Sequence, residues 1–315
     1  MPGFRKGIAK AILDFFWPPD PTDGLYNQAT KAYAEYQASG KPRDLQLALT
    51  NFEAALSARR PINHPQLAVT LINYAATLWA HYEVSGRPDT DLRRVIELEE
   101  EALSLWANVV PRPSGYPILL TNLGNAYFDA YRRNRTQESF NKAVSQYKAV
   151  QNDESFPAEI RNMAIARRGI ALWTRCDLEK TSSVGLDEGI DKLEEALRFA
   201  SSTNDAGSLK ALCLPSLANA YDIRFQRFKQ EEDLSSAIEY SHAARQILPK
   251  ANPERGASLY NLSRLLWARH QQKHDKKDLD EAEKIAKEAQ EVVKSGELRE
   301  KIEEVLKAVV ATKGE

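Results

Sequence analysis

The sequence predicts an all-α protein, an α-solenoid of six antiparallel helix pairs flanked by an N-terminal and a C-terminal end helix. Three observations support this fold class. A loop that reads Ser-Gly-Lys-Pro from Ser39 recurs as Ser-Gly-Arg-Pro from Ser85, 46 residues later. A small residue recurs in each repeat at the centre of a helical pattern of apolar residues. A second small-residue pattern follows each time, and such long-period self-similarity is typical of helical repeats.

The first helix of each repeat is marked by one small residue, here called the first anchor. The first anchors lie 45 to 49 residues apart, at Ala29, Ala75, Gly124, Gly169, Ala218 and Ser263. An aliphatic residue precedes each anchor by four positions, and large residues follow at four and seven positions in most repeats. These offsets share one face of an α-helix, whereas a strand would need a period of two.

The second helix of each repeat carries its own small residues. The second anchors are Ala48, Val95, Ala143, Gly189, Ala237 and Ala282, and each is followed seven residues later by Ala or Val. This small strip allows another helix to approach closely. Four second helices begin with Asp-Leu, and we expect each Asp to accept backbone N–H groups at the positive helix end; they are Asp44, Asp91, Asp233 and Asp278.

Helix-breaking residues separate the repeats. They are Pro61, Pro111, Pro113, Pro157, the polar stretch 201–205, Pro249 and Pro253. One helix pair cannot bury both of its apolar faces, but a stack of six pairs does so. We therefore predict a single elongated six-repeat region over residues 22–295, rather than the two domains that 315 residues suggest.

The two ends of the stack need covering. Residues 296–315 are predicted to form a C-terminal capping helix with an apolar stripe. Residues 1–19 are predicted to form an amphipathic N-terminal helix, which either caps the first repeat or makes weak contact with a membrane or a partner. The apolar face of that helix consists of Phe4, Ile8, Ile12, Phe15 and Phe16.

The repeat resembles the tetratricopeptide repeat (TPR). The third repeat contains Leu123-Gly124-x-x-Tyr127 and Ala143-x-x-x-Tyr147, which match the Leu-Gly-x-x-Tyr and Ala-x-x-x-Phe elements of that family. The repeats here are longer than the usual ~34 residues, so both helices are expected to be longer. Such long repeats are similar to TPR arrays of fungal multidomain proteins. The resemblance implies a right-handed superhelix whose first helices line a concave groove.

The resemblance also implies which positions face this groove, namely those two residues before and one residue after each first anchor. The polar candidates at these offsets are Asn73, Asn122, Asn125, Arg167, Asn219, Asn261 and Arg264. Asparagine both donates and accepts hydrogen bonds, which suits an extended peptide backbone, and arginine suits a carboxylate. Aromatic candidates four residues after the anchors are Trp79, Phe128, Trp173 and Trp267. The alternative is that the aromatic residues pack between repeats and that the asparagines bond one helix to another.

Composition and motifs restrict the function. The net charge of −1 and the absence of a basic excess argue against a nucleic-acid partner. The two cysteines, Cys176 and Cys213, lack metal-ligand spacing and are expected to be small core residues. No nucleophile with a base, phosphate-binding loop or dinucleotide motif is present. We therefore expect a cytoplasmic protein that is not an enzyme and needs no cofactor or metal.

The leading hypothesis is a non-catalytic interaction scaffold or adaptor that binds a peptide or protein segment in the concave groove. One alternative is a regulatory sensor of a small molecule or short peptide, because a solenoid can flex along its length. Another is a membrane-peripheral adaptor that uses the N-terminal helix.

Overall fold

The computed structural model describes residues 22–180, 184–203, 207–252 and 254–314. Over these ranges the chain forms thirteen α-helices and no strand, which confirms the predicted all-α helical-repeat fold. Contacts divide it into two compact units, Met1–Ala164 and Ile165–Glu315. The predicted N-terminal helix and its apolar residues lie outside the described residues, so the expected membrane contact stays a prediction.

The N-terminal unit contains three repeats. Their helices are α1 (Asp23–Ser39), α2 (Pro42–Arg59), α3 (Leu67–Val84), α4 (Asp89–Trp106), α5 (Tyr116–Asn134) and α6 (Gln137–Asn152). Helices α1 and α2, α3 and α4, and α5 and α6 pack as pairs. Helix α2 also packs against α3, and α4 against α5, so that successive pairs share one core.

The C-terminal unit begins within α7 and contains the remaining repeats. Its helices are α7 (Ala158–Glu179), α8 (Val184–Ser202), α9 (Gly207–Phe228), α10 (Glu231–Ile247), α11 (Arg255–Lys273), α12 (Lys276–Val292) and α13 (Glu297–Gly314). Helix α13 packs against α12 and α11, and its residues Ile302, Val305 and Val309 join their core. Among the described helices, none is both long and apolar enough to span a membrane.

The anchors bring the two helices of a repeat together. All first and second anchors are buried. A Cβ atom on Gly169 would lie only 2.8 Å from the carbonyl oxygen of Gly189, the second anchor of the same repeat. In the sixth repeat, Ser263 Oγ donates a 2.9 Å hydrogen bond to the carbonyl oxygen of Ala282, again a second anchor. Small side chains at these positions therefore permit the close helix approach that the pattern predicts.

A residue with left-handed backbone geometry lies eleven positions after each first anchor. It directly follows the first helix in five repeats, and in the second repeat it lies two positions beyond the last helical residue. These residues are Gly40, Gly86, Arg135, Lys180, Lys229 and His274, with φ between 52° and 76°. The backbone N–H of Arg135, for example, donates a 2.9 Å bond to the carbonyl oxygen of Tyr131. Four of the six residues are not glycine, although glycine adopts this conformation at the lowest steric cost.

The expectation for the Asp-Leu motif is wrong in one respect. The four aspartates lie inside the first turn of their helices and accept no backbone N–H group of the described residues. Asp91, Asp233 and Asp278 instead accept bonds from His81, Arg224 and Arg269, each six residues after a first anchor, while Asp44 accepts from Ser39. The motif therefore joins the two helices of a repeat. The negative charge still lies at the positive end of its helix.

Arginines cover the ends of three second helices. Arg112 donates to the carbonyl oxygens of Trp106 and Ala107 at the end of α4. Arg255 does so at the end of α10, and Arg299 at the end of α12. Because the last carbonyl groups of a helix lack partners within it, a guanidinium that follows in the chain satisfies them and their partial negative charge.

Candidate functional site

The candidate surface belongs to the first helices. At about 100° per residue, positions −2 and +1 lie about 160° and 100° around the helix from the anchor that packs against the second helix. All eleven predicted site residues are half-buried. We call those of the N-terminal unit the N-terminal ladder: Asn73, Trp79, Asn122, Asn125 and Phe128. Those of the C-terminal unit form the C-terminal ladder: Arg167, Trp173, Asn219, Asn261, Arg264 and Trp267.

The N-terminal ladder keeps much of its hydrogen-bonding capacity. Asn122 makes no side-chain hydrogen bond to any described residue. Asn125 accepts a 2.9 Å bond from the Tyr147 hydroxyl, which leaves its amide N–H groups unused. Asn73 donates a 2.6 Å bond to the Tyr26 hydroxyl, and its oxygen accepts none from the described residues. Donors and acceptors are thus available on one surface of α3 and α5.

The two aromatic residues of the N-terminal ladder pack against neighbouring aromatic rings. Trp79 packs against the N-terminal core, with its ring 5.3 Å from that of Tyr82, and its indole N–H donates to Glu83. Phe128 stacks on Tyr131 with the ring centroids 6.3 Å apart. Both rings therefore serve packing, and their half-exposed parts present apolar surface beside the amides.

Polar residues of the C-terminal ladder bond to each other and to neighbouring residues of the same unit. Asn261 Nδ2 donates a 2.8 Å bond to Asn219 Oδ1, across 42 residues of sequence and from α11 to α9. Arg264 forms an ion pair with the buried Asp222 on α9. One amide N–H of Asn261, the amide oxygen of Asn219 and the Arg264 guanidinium are therefore engaged in joining two repeats.

The remaining members of the C-terminal ladder also contact their neighbours. Arg167 lies near enough to Cys213 that its positive charge opposes the rise in the pKa of that thiol. The backbone and Cβ of Trp173 lie against Gly189 of α8. Trp267 packs against the core formed by α9 to α13. The structure therefore brings predicted site residues together in pairs and packs them, rather than leaving a continuous free row.

Two buried carboxylates, those of Asp129 and Asp222, were not among the predicted site residues. Asp129 accepts bonds from Tyr82 and Arg132, and Asp222 accepts from Arg264 and Gln226. Both aspartates are buried. The sequence does mark Asp222 as unusual, because it stands four residues after its anchor, where the other repeats have an aromatic residue. An acid at such a position indicates a cation or hydroxyl on a neighbouring helix.

Burial raises the pKa of two ionisable residues close to the ladders, Tyr82 and Cys213. Burial, together with the hydrogen bond and charge of Asp129, raises the pKa of Tyr82 to about 12. Burial raises the pKa of Cys213 to about 12, so this thiol stays protonated at neutral pH. Both cysteines are buried, as expected for core residues. Within the described ranges, no three His, Cys, Asp or Glu side chains gather into a group able to hold a metal ion.

Comparison with known proteins places the fold. No protein-family model and no curated protein matches the chain. The structure of NprR in complex with its cognate peptide NprX is similar to 98% of this chain and 76% of its own, with a TM-score of 0.53 and 14% identity. The S. pombe nuclear import adaptor Nro1 is similar over 91% of this chain and 99% of its own, with a TM-score of 0.50 and 14% identity.

A third structure, a kinesin light chain-type protein of Podosopora anserina with nearly identical TPR-like repeats, covers 73% of this chain and 100% of its own. Its TM-score is 0.48 and its identity 16%. At such identities the likeness concerns the fold alone. Together with the repeated helix pairs and their buried anchors, the likeness to NprR and Nro1 leads to one conclusion: this chain has a TPR-like helical-repeat fold.

Proposed function

We propose that this protein is a non-catalytic adaptor that binds an extended peptide or protein segment on the N-terminal ladder. The observation that carries the proposal is Asn122, whose amide lies half-buried on the first-helix surface without a side-chain hydrogen bond to the described residues. Asn125 is three residues away on the same helix, so the two amides lie on neighbouring positions of one face.

The chemistry of these groups suits a peptide backbone. An extended segment presents unpaired N–H and C=O groups, and a carboxamide pairs with both at once. The half-exposed rings of Trp79 and Phe128 add apolar surface, and aromatic side chains dominate many binding interfaces. The C-terminal ladder is less suited, because neither of its asparagines is without a side-chain hydrogen bond among the described residues, as Asn122 is; Asn219 and Asn261 share one.

The similar structures support the class of function. NprR is described in complex with its cognate peptide, and Nro1 as a nuclear import adaptor. Both have helical-repeat folds that bind or carry other polypeptides.

The test begins with a displayed library of random peptides selected against the full chain. A selected peptide is then titrated by fluorescence anisotropy. We expect Asn122→Ala to weaken binding about tenfold, which corresponds to about 1.4 kcal/mol. Asn219→Ala, the matched control in the C-terminal unit, should leave the affinity unchanged. Equal binding by wild type and Asn122→Ala, or an effect of Asn219→Ala alone, would overturn the proposal.

A further inference from the structure

The C-terminal unit contains a cleft that is lined by no residue of either ladder. It is an open cleft of about 1010 Å³ between the end of α10, the loop that follows, the start of α11 and one face of α12. None of the eleven predicted site residues lines it. The lining side chains are almost all charged: Arg245, Lys250, Arg255, Asp280, Glu283, Lys284, Lys287, Glu288 and Glu291, with Val292.

Most carboxylates of this cleft are already neutralised. Glu288 is held by two guanidinium groups, at 2.6 Å from Arg245 and 2.7 Å from Arg255, and these hydrogen bonds hold its pKa below the usual value despite burial. Glu283 pairs with Lys287 and with Lys313 of α13. Lys313 also pairs with Asp280.

Positive charge is left over. Five cations and four carboxylates line the cleft, and Lys250 and Lys284 pair with no acid among the described residues. Arg255 lies at the buried edge of the cleft. It is only 9% exposed, and its Nε–H has no hydrogen-bond partner among the described residues. An anion in the cleft would meet the two lysines, and the charge of this guanidinium would add to the attraction.

The length of the cleft favours an extended acidic chain over a small anion. Its lining on α12 runs from Asp280 to Val292, which is about 18 Å along a helix at 1.5 Å per residue. A single phosphate group would fill only a small part of a cleft of about 1010 Å³. An extended polypeptide advances about 3.3 Å per residue, so about five residues would span it. Its carboxylates would meet lysines and the fork of an arginine.

We propose that this cleft binds an extended acidic segment of a partner protein. This interaction is independent of peptide binding at the N-terminal ladder. The cleft is lined mainly by residues of the second helices α10 and α12. It would bind its partner through charged groups, whereas the ladder would bind through amides. Because the excess charge is modest and the cleft is open, the interaction is expected to be salt-sensitive.

The test uses the full chain and a fluorescein-labelled hexaglutamate peptide, followed by fluorescence anisotropy at low ionic strength. We expect saturable binding that Lys250→Ala with Lys284→Ala weakens at least fivefold. The matched control is Lys276→Ala with Lys277→Ala, which removes the same charge from the exposed start of α12 outside the cleft. Glu291→Gln should strengthen binding, since it removes a repelling carboxylate.

Four outcomes would overturn the proposal. They are no saturable binding, equal weakening by both lysine pairs, equal binding of hexalysine, and tripolyphosphate that binds as tightly as hexaglutamate. The last result would assign the cleft to a phosphate compound. Asn122→Ala should leave hexaglutamate binding intact, so that failure here is distinguishable from failure of the ladder proposal.

Discussion

Asn261 donates a hydrogen bond from Nδ2 to Oδ1 of Asn219, at 2.8 Å and across 42 residues of sequence. Both asparagines occupy offsets that face the groove in the family that the sequence resembles. In this structure they join α11 to α9. The same residue type at a matching offset in α5, Asn122, has no such bond to the described residues. One pattern in the sequence therefore has two structural outcomes.

We expect the two C-terminal asparagines to be energetically coupled. Asn261→Ala should lower the free energy of unfolding by about 1 kcal/mol, because it leaves a half-buried oxygen unpaired. A double-mutant cycle with Asn219→Ala should give a coupling of about 0.5–1 kcal/mol, since the second substitution removes the orphaned group. Urea unfolding checks this. As a control, Asn122→Ala should be neutral or slightly stabilising, because alanine is the better helix former.

Arg135 ends α5 in the left-handed conformation, at φ 58°, and its side chain is exposed. We expect Arg135→Gly to raise the free energy of unfolding by about 1 kcal/mol, because glycine meets no Cβ clash there. Arg135→Ala should bring no such gain, since alanine keeps the Cβ atom. Gly40→Ala, at the equivalent position of the first repeat, should destabilise the protein by a similar amount. Thermal unfolding of the three variants measures the differences; a gain in Arg135→Ala as large as in Arg135→Gly would refute the explanation.

Arg255 contributes to stability as well as to the cleft. Its guanidinium bonds the carbonyl oxygens of Arg245 and Leu248 and also Glu288. We expect Arg255→Met to cost about 2–4 kcal/mol, because it leaves buried acceptors without donors. The matched control, Arg94→Met, removes an exposed ion pair with Glu97 and should cost less than about 1 kcal/mol. Equal losses, measured by chemical denaturation, would show that the carbonyl contacts matter little.

The tyrosines predict a loss of stability at high pH. Burial and Asp129 raise the pKa of Tyr82 to about 12, while burial and Glu194 raise that of Tyr240 to about 12. Above pH 10 the unfolded chain releases these protons before the folded chain does. The stabilising contribution is therefore complete below pH 10 and is lost as the pH rises towards 12. We expect Tm to fall over this range, and to fall less in Tyr82→Phe; identical falls in both proteins would contradict the assignment.

Much of the fold was predictable because helical periodicity is a local property. The anchors Gly169 and Gly189 face each other, which agrees with the close helix approach that small residues allow. The partners of polar side chains were less predictable. The Asp-Leu motif indicates a helix start correctly, but Asp233 binds Arg224 of the preceding helix and not the backbone. The left-handed geometry at Arg135 was not predictable from the sequence, because the residue there is not a glycine.

The sequence by itself determined the all-α class, the six repeats, and which small residues must be buried, because 3.6-residue periodicity and repeat length are written into neighbouring positions. Only the tertiary structure decided which amides are already used. Whether Asn219 meets Asn261 depends on how two helices 42 residues apart are placed against each other. A displacement of a few ångströms separates a hydrogen bond within the protein from an amide available to a partner, and no local pattern specifies that distance.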